Sequence, residues 1–550
     1  MKYITKGGAL MSQSDVAIPS SKKIGIPKYL IISVLTILAI GPQYFLNLSY
    51  TLSQVVIQNG LHLSPDDMRI PSILTNLAFA LGVPLGRIFS RRFGIRNSYL
   101  TLITLFLCGS LIDAFSAGLF SLLIGRVIQG LCSGMLFLTI LPVKLISFPN
   151  KVRNLFLFFV ISGLFGASAI GAVFGSLSLS ADAWRWVFIL NICSPVLCLV
   201  IGFFSLPKQA ADEREHHSID KTGVFMLSLL MVVLTVPLIN LQKTGVHSFY
   251  VWPFFLAGFI ILALFVITDL RAREPLVPFR SLWSAKAVSG TVMAVASHIA
   301  IIVSLAGING FLENIAEASF ESMTRFYLCF FAGILATAVL STLLYDHFGA
   351  GLLGCIGALE MIIVGMEWRS VQPGVSMESL YLHAVLLGSG VSMVLVSGAL
   401  GTALAGDIHQ ASKRSVSLHF IRNFAGAWAA PVIGWFASMK NAVHYEMIRG
   451  HISEADPEIQ LELSKMIRDF VSSGLSVGDA KNMAAYTIVA NARKASALGA
   501  YHDLFTILLW LSIIMLAASI GKAATGKGRS LVQKRLRLPD PSASQQKEIG

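Results

Sequence analysis

The stretch IPSILTNLAFALGVPLGRIFSRRFGIRNSYLTLITLFLCGSLIDAFSA, from Ile70 to Ala117, consists of two apolar segments joined by a short loop with four arginines between residues 87 and 96. Each apolar segment is about 20 residues long, which is the length that a helix needs to cross about 30 Å of hydrocarbon. Inside a bilayer only helices and closed barrels satisfy their backbone polar groups. The stretch therefore predicts two membrane-spanning helices whose connection lies at the membrane surface.

The same pattern fills most of the 550 residues, of which 55% are hydrophobic and only 13% are charged, and the mean hydropathy is +0.72. A soluble protein of this length needs more charge to cover its surface. The sequence therefore predicts an all-α polytopic membrane protein. Its fourteen predicted spans are 29–50, 70–89, 98–117, 119–145, 154–178, 185–206, 220–241, 249–268, 287–311, 324–345, 350–367, 379–405, 416–437 and 501–521.

Along the chain, loops that are rich in lysine and arginine alternate with loops that are poor in them. With residue 1 in the cytoplasm, 28 of the 42 Lys and Arg residues fall on the inner side and 12 on the outer side. Seven of those 12 lie in the long segment 438–500, and long loops contribute little to the positive-inside rule. We therefore expect a multi-pass protein with both termini in the cytoplasm. The tight loops and the absence of large cytosolic domains favour a bacterial inner membrane.

Several function classes are disfavoured by the composition. The net charge of +13 does not indicate a nucleic-acid partner, because the positive residues are spread over short loops. All six cysteines lie within predicted spans, where they are expected to be small buried hydrophobic residues and not disulfides or metal ligands. The sequence contains no recognisable nucleophile–base cluster, metal-ligand string or phosphate-binding loop. It therefore predicts neither an enzyme nor a bound cofactor or metal.

One sizeable polar segment, 438–500, is predicted to lie outside the membrane. Within it Ile459, Leu463, Met466 and Phe470 recur at helical spacing. This periodicity favours an amphipathic helix that rests on the outer face or at the level of the lipid headgroups. The alternative is a docking site for an external partner.

Two loops carry related motifs. The chain reads PLGRIFSRRFGIR at 84–96, between the second and third spans, and YDHFG at 345–349, between the tenth and eleventh. Glycines allow two helices to approach closely, and arginines hold a loop at the inner surface. The recurrence at corresponding places predicts an internal repeat. The residues expected to take part in conformational switching are Gly86, Arg91, Arg92, Gly94, Asp346 and Gly349.

Further motifs lie where other spans begin. LIGRVIQG at 123–130 opens span 4 and places Arg126 and Gln129 in the membrane. A central arginine costs at least about 2.5 kcal/mol on insertion scales, so Arg126 is expected to face a wet cavity or an acid. The alternative is that it extends to the outer surface. The other motifs are WRWVFILN at 184–191, FIRNFAG at 420–426, which contains Arg422, and YHDLF at 501–505.

These motifs, in this order, resemble those of the major facilitator superfamily, in particular its fourteen-span drug:proton antiporters. The resemblance covers about residues 30–525 and implies two six-helix halves that rock around a central site, with an inserted helix pair between them. Its arginine-bearing loop variant also implies a periplasmic adaptor protein as a partner. The predicted domains are 1–28 and 526–550 as cytoplasmic tails, 29–206 as the first half, 207–286 as the linker with the inserted pair, and 287–525 as the second half with the long outer loop 438–500.

Ionisable residues within spans are functional candidates. Glu360 is the deepest acid and the preferred proton carrier, because a buried carboxyl group can exchange protons near neutral pH. Its alternative role is a hydrogen bond within the bundle. His298 in span 9 titrates near neutrality when unperturbed, but a structural role is its alternative. Asp113 lies toward the outer end of span 3, so we expect it to face the headgroups rather than a proton relay.

The first span contains polar residues but no acid. Gln43, Asn47 and Gln54 can hydrogen-bond a substrate in a cavity but cannot carry a proton. The resemblance implies an aspartate early in this span. It also implies prolines near Ala167 and Ala172, which this chain lacks. Either Glu360 or another acid therefore provides the coupling, or transport is not driven by protons.

The sequence predicts a secondary active transporter that exports amphipathic small molecules or drugs in exchange for protons. With Arg126 and Arg422 as cations of the cavity, the alternative is a specialised carrier of an anionic metabolite such as a siderophore, in either direction and not necessarily proton-driven. A membrane sensor on the same scaffold is disfavoured because no signalling domain is recognisable. The expected partners are the small-molecule substrate, protons, the lipid bilayer and the adaptor.

Overall fold

The computed structural model describes residues 27–180, 183–206, 220–407, 410–451 and 457–532, and this part of the chain is helical with no β-strand. A π-helical turn, Ile161–Phe165, interrupts the helical chain after Val160. The helices are α1 (Lys28–Leu52), α2 (Gln54–Leu61), α3 (Ile70–Phe93), α4 (Ile95–Ala114), α5 (Leu119–Ser147), α6 (Leu155–Val160), α7 (Gly166–Ser180), α8 (Arg185–Ser205), α9 (Lys221–Thr244), α10 (Trp252–Arg271), α11 (Ala285–Asn314), α12 (Phe320–Trp368), α13 (Met377–Ala403), α14 (Ala411–His451), α15 (Pro457–Ser472) and α16 (Val477–Ala524).

Twelve helices in the described ranges are long and apolar enough to cross a membrane. They coincide with the predicted spans except at two places. The tenth and eleventh spans both lie in α12, where the non-helical backbone of Gly349 divides the element into two helices. Both helices pack against the same part of α13, at Val385 and Gly390. The thirteenth span lies in α14, which is not among the twelve. The all-α polytopic fold is confirmed, whereas the exact number of fourteen spans stays a prediction.

Gly94 and Gly349 bend the chain in the same way at the two related loops. Gly94 separates α3 from α4 with φ +77° and ψ 156°, and Gly349 interrupts α12 with φ +77° and ψ 174°. This region of backbone conformation is accessible almost only to glycine. Each glycine therefore ends one membrane helix and starts the next, as expected for corresponding points of an internal repeat.

Close helix contacts also recur in the two halves. A Cβ atom built on Gly86 of α3 would lie 2.0 Å from the carbonyl oxygen of Met135 on α5. In the second half, a Cβ atom on Gly333 of α12 would lie 2.0 Å from the carbonyl oxygen of Val385 on α13. No side chain fits at such distances, so glycine is needed at both positions for the backbones to touch.

The inserted helices α9 and α10 pack against each other, and α9 also contacts α3 of the first half and α14 of the second. Val416, Phe420 and Ala427 of α14 belong to the hydrophobic cluster that holds the first half and the inserted pair together. On another side α14 contacts α11 and α16. Helix α14 therefore takes part in the packing of both halves.

The segment 438–500, predicted as a long outer loop with one amphipathic helix, is helical over most of its described length. Helix α14 continues to His451 and α16 begins at Val477, with α15 between them where the periodicity predicted a helix. The extensions of α14 and α16 pack together, and His444 Nε2 lies 3.0 Å from Asp503 Oδ2. Residues 484–500 are rich in alanine, the strongest helix former, so the membrane helix simply continues. We call residues 438–451 and 457–500 the α14–α16 hairpin.

The end of the described chain crosses from one half to the other. The carboxylate of Asp346 accepts hydrogen bonds from the backbone N–H groups of Leu531 at 2.7 Å and Val532 at 3.1 Å. Arg153, in the connection between α5 and α6, donates to the carbonyl oxygen of Leu531 at 3.5 Å. The Leu531 side chain is buried in a cluster that includes Phe148 of the first half. We call residues 526–532 the C-terminal strap.

Candidate substrate and coupling site

A fully buried arginine marks the centre of a polar cluster in the first half. The Arg126 side chain on α5 has no exposed surface, and its Nη2 donates to Asn47 Oδ1 of α1 at 3.3 Å. Its Nη1 lies 3.4 Å from Gln129 Oε1, one helical turn away. The guanidinium also stacks over the Tyr50 ring, 5.2 Å from its centroid. Arg126 therefore points into the bundle, and the alternative that it extends to the membrane surface is wrong.

The polar residues of α1 take part in this cluster. Asn47 Oδ1 also accepts from Gln43 Nε2 at 3.0 Å, and Asn47 Nδ2 lies 3.5 Å from Asn76 Oδ1 of α3. Gln129 Nε2 donates to Ser110 Oγ of α4 at 3.0 Å. Residues of α1, α3, α4 and α5 thus meet around one cation. Gln54 begins the separate helix α2 and makes none of these described hydrogen bonds.

Asp113 of α4 lies beside this cluster. Its side chain is fully buried, so the expectation that it faces the headgroups is wrong. A Cβ atom on Gly125 of α5 would lie only 2.2 Å from Asp113 Oδ1, which means that the absence of a side chain at Gly125 makes room for the carboxyl group. Neither carboxyl oxygen has a hydrogen-bond partner among the described residues, and the group interacts electrostatically with Arg126.

Glu360 occupies a different environment in the second half. Glu360 lies on α12 and faces α13, since a Cβ atom built on Gly390 of α13 would be 3.2 Å from the Glu360 Cβ atom. Its side chain also interacts with Ser389. Thr337 donates to the same serine hydroxyl at 3.1 Å. The Oε2 atom of Glu360 is buried without a described partner, but the residue as a whole is only partly buried. The structure therefore does not bring Glu360 and Arg126 into one cluster.

A second cationic cluster lies on α14 and α11. Arg422 is 4% exposed, and its Nη2 donates to Asn423 Oδ1 at 3.3 Å. His298 lies against the same helix, because a Cβ atom on Gly426 would be 2.4 Å from its Nε2. His419, one turn before Arg422, packs edge-on against the Phe137 ring of α5 with 4.7 Å between centroids. Sequence reasoning missed His419, although its spacing of three from Arg422 places both on one helix face.

The loop residues predicted to switch fall into three groups. Gly86, Gly94 and Gly349 determine backbone approach and bending, as described above. Asp346 binds the C-terminal strap. Arg91 and Arg92 are exposed at the end of α3, and Arg92 lies over the Phe93 ring, 5.6 Å from its centroid. The described residues contain no group of three or more potential metal ligands.

The helical bundle, its repeated glycine contacts and its buried ionisable groups define a membrane transporter of two related halves. The family model "Major Facilitator Superfamily" matches residues 31–432, and the chain belongs to this superfamily. The predicted resemblance is confirmed at this level, together with the multi-pass arrangement in a membrane.

Known relatives are transporters as well. The chain is 29% identical over 512 residues to the uncharacterized MFS-type transporter YubD of Bacillus subtilis, with 92% of this chain and 90% of that protein covered. It is 28% identical over 343 residues to the tetracenomycin C resistance and export protein of Streptomyces glaucescens, with 62% of this chain and 63% of that protein covered. The peptide transporter POT, solved in complex with sulfate, superposes with a TM-score of 0.56 at 15% identity, with 93% of this chain and 98% of that chain covered, and shows the common fold.

Proposed function

We propose that this transporter exports amphipathic small molecules in exchange for protons, and that Asp113 carries the proton. The observation that supports this most strongly is the fully buried Asp113 carboxyl group, which lies beside the buried Arg126 and has no hydrogen-bond partner among the described residues. The relative that exports tetracenomycin C supports export as the direction.

The coupling follows from the energy of buried charges. When Asp113 is ionised, its charge compensates that of Arg126 in a region of low polarity. When Asp113 takes up a proton, Arg126 remains as an uncompensated buried cation, and removing one partner of such a pair costs about 3–5 kcal/mol. The protonated transporter then gains free energy by opening the cluster to water or to substrate. Asp113 thereby replaces the acid that the first span lacks.

The experiment measures substrate-induced proton release from acidified inverted membrane vesicles with a panel of lipophilic cations and organic anions. Asp113→Asn should abolish the release, because an amide cannot exchange protons. Glu360→Gln should retain it, and the exposed Glu321→Gln serves as the matched control. Loss in Glu360→Gln alone would overturn the assignment to Asp113. A response to anions that neither substitution affects would instead favour a specialised carrier of an anionic metabolite.

The same proposal includes the membrane in which the transporter lies and its orientation there. We place it in a bacterial inner membrane with both termini in the cytoplasm, which puts the α14–α16 hairpin on the periplasmic side. A periplasmic adaptor would bind there. Purification from the native membrane tests this partner, since a transporter that never co-purifies with another protein under mild detergent contradicts it.

A further inference from the structure

Arg422 carries a buried charge that the described part of the protein does not compensate. Its Nη2 atom donates a hydrogen bond to the neutral side chain of the neighbouring Asn423, and its Nε atom is buried without a partner among the described residues. The guanidinium lies over the Phe137 ring at 5.7 Å, a contact that supplies no negative charge. None of the described ion pairs includes Arg422. In this respect it differs from Arg126, which has Asp113 nearby.

Among the described residues, the titratable side chains that face Arg422 are those of two histidines. His419 is 7% exposed, and its Nδ1 is buried without a described partner. His298 of α11 interacts electrostatically with Arg422, and so does His419. Both rings can donate a hydrogen bond when neutral and add positive charge when protonated. The side chains of Arg422, His419 and His298 therefore offer hydrogen-bond donors in this cluster but no carboxylate.

An apolar cavity lies between α14, the inserted helices and α11, and residues that neighbour the cluster in sequence line it, whereas Arg422, His298 and His419 themselves do not. It has a volume of about 350 Å³ and is lined by residues of α9, α10, α11 and α14. Ala425 and Ala429 line it, and at spacings of three and seven they share a helix face with Arg422. Ile299, next to His298 in the sequence, lines it from α11. The indole N–H of Trp428 is buried without a partner among the described residues, and its ring centroid lies 5.3 Å from that of Phe259.

We propose that Arg422 binds the anionic group of an amphipathic transport substrate whose apolar part occupies the cavity between α9, α10 and α14. This inference rests on the proposed transport function and adds the substrate class to it. A buried arginine without a counter-charge is costly, and a ligand anion would supply the missing charge through strong charge-assisted hydrogen bonds. The cavity lies within the range of about 300–1,000 Å³ that is usual for small-molecule sites. The inserted helix pair thereby becomes part of the binding site.

Two fluorescent probes with the same aromatic rings test the site by equilibrium binding. The anion 8-anilinonaphthalene-1-sulfonate and the neutral N-phenyl-1-naphthylamine are titrated into protein in nanodiscs of phosphatidylcholine, and empty nanodiscs are subtracted. Arg422→Gln should weaken binding of the anion by about tenfold or more and leave the neutral probe within about twofold. Arg422→Lys should recover part of the loss. Arg325→Gln, an exposed arginine in an ion pair with Glu321, is the matched control and should change neither probe.

A second variant leaves Arg422 untouched. Ala429→Leu partly fills the cavity and should weaken both probes to a similar extent, so the proposal stays testable if Arg422→Gln fails to fold. Equal effects of Arg422→Gln on both probes, or no effect on either, would overturn the proposal. If phosphatidylglycerol in the nanodiscs displaced the anionic probe, and this displacement depended on Arg422 in the same way, the site would bind a lipid. The proposal of a transport substrate would then be wrong. Because binding needs no proton gradient, these outcomes are independent of the vesicle experiment on Asp113.

Discussion

Single glycines decide where the long helices of this transporter bend. Gly94 and Gly349 have the same positive φ of +77°, although 255 positions separate them. At Gly349 a Cβ atom would also lie 3.0 Å from the carbonyl oxygen of Lys527 in the C-terminal strap. A side chain at this position would meet both backbone strain and a steric contact. The two loop motifs thus contain glycine for a conformational reason that is independent of any ligand.

Replacing either glycine by alanine should destabilise the protein. We expect Gly94→Ala and Gly349→Ala to cost about 1–3 kcal/mol each, because this backbone region is essentially restricted to glycine. Gly374→Ala is the matched control, since Gly374 has ordinary φ and no atom within 4 Å of a built Cβ. Thermal unfolding in detergent measures the difference. Equal melting temperatures for Gly349→Ala and Gly374→Ala would contradict the prediction.

The candidate residues could be found from the sequence, but their partners could not. The cost of a charge in hydrocarbon singles out Arg126, Arg422 and Glu360 in any apolar segment. The pairing of Arg126 with Asp113 depends on Gly125, whose missing side chain makes room for the carboxyl group. No pattern along the chain reveals such a contact between neighbouring helices. For the same reason sequence reasoning preferred Glu360 as the proton carrier.

At the level of helices, hydropathy located the membrane spans well and their ends poorly. A scale of apolarity detects the part of a helix that lies in lipid, but α14 and α16 continue as helices where the sequence becomes polar. The Ala-rich stretch at 484–500 continues the helix by propensity alone. Hydropathy also cannot show that a single residue, Gly349, separates the tenth span from the eleventh.

Two matched serine-to-cysteine substitutions test on which side of the membrane the α14–α16 hairpin lies. Ser473 at the end of α15 and Ser530 in the C-terminal strap are both exposed. With the six native cysteines replaced, Ser473→Cys should react with a membrane-impermeant maleimide in intact spheroplasts, because the charge pattern puts the hairpin outside. Ser530→Cys should react only in inverted vesicles. Labelling of both residues from the same side would contradict the orientation.

In the whole molecule, the C-terminal strap connects the two halves at the end of the bundle that carries the basic loops. Asp346 binds its backbone from the second half, and Arg153 binds it from the first. Such a connection stabilises the arrangement in which this end is closed. Any rocking motion that separates the halves here must first release the strap from one of them.

Two truncations separate the strap from the rest of the tail. Deletion of residues 533–550 keeps the strap and is the control, whereas deletion of 526–550 removes it. The longer deletion should lower the melting temperature and speed the alkylation of a cysteine placed at Phe148, which belongs to the same cluster as Leu531. The physical reason is that the contacts of Asp346 and Arg153 are lost together. Equal labelling rates in the two truncations would show that the strap does not hold this end closed.

Helix α16 extends without interruption from the α14–α16 hairpin to the opposite end of the bundle, and its 48 residues measure about 72 Å. A continuous helix of this length moves as one unit, so a tilt around its middle displaces both of its ends. If α16 tilts by about 10° around its middle during rocking, each of its ends moves by about 6 Å, given a half-length of about 36 Å. The α14–α16 hairpin would then move with each transport cycle. We expect an antibody fragment that fixes its position to stop the motion of the membrane helices without entering the bilayer.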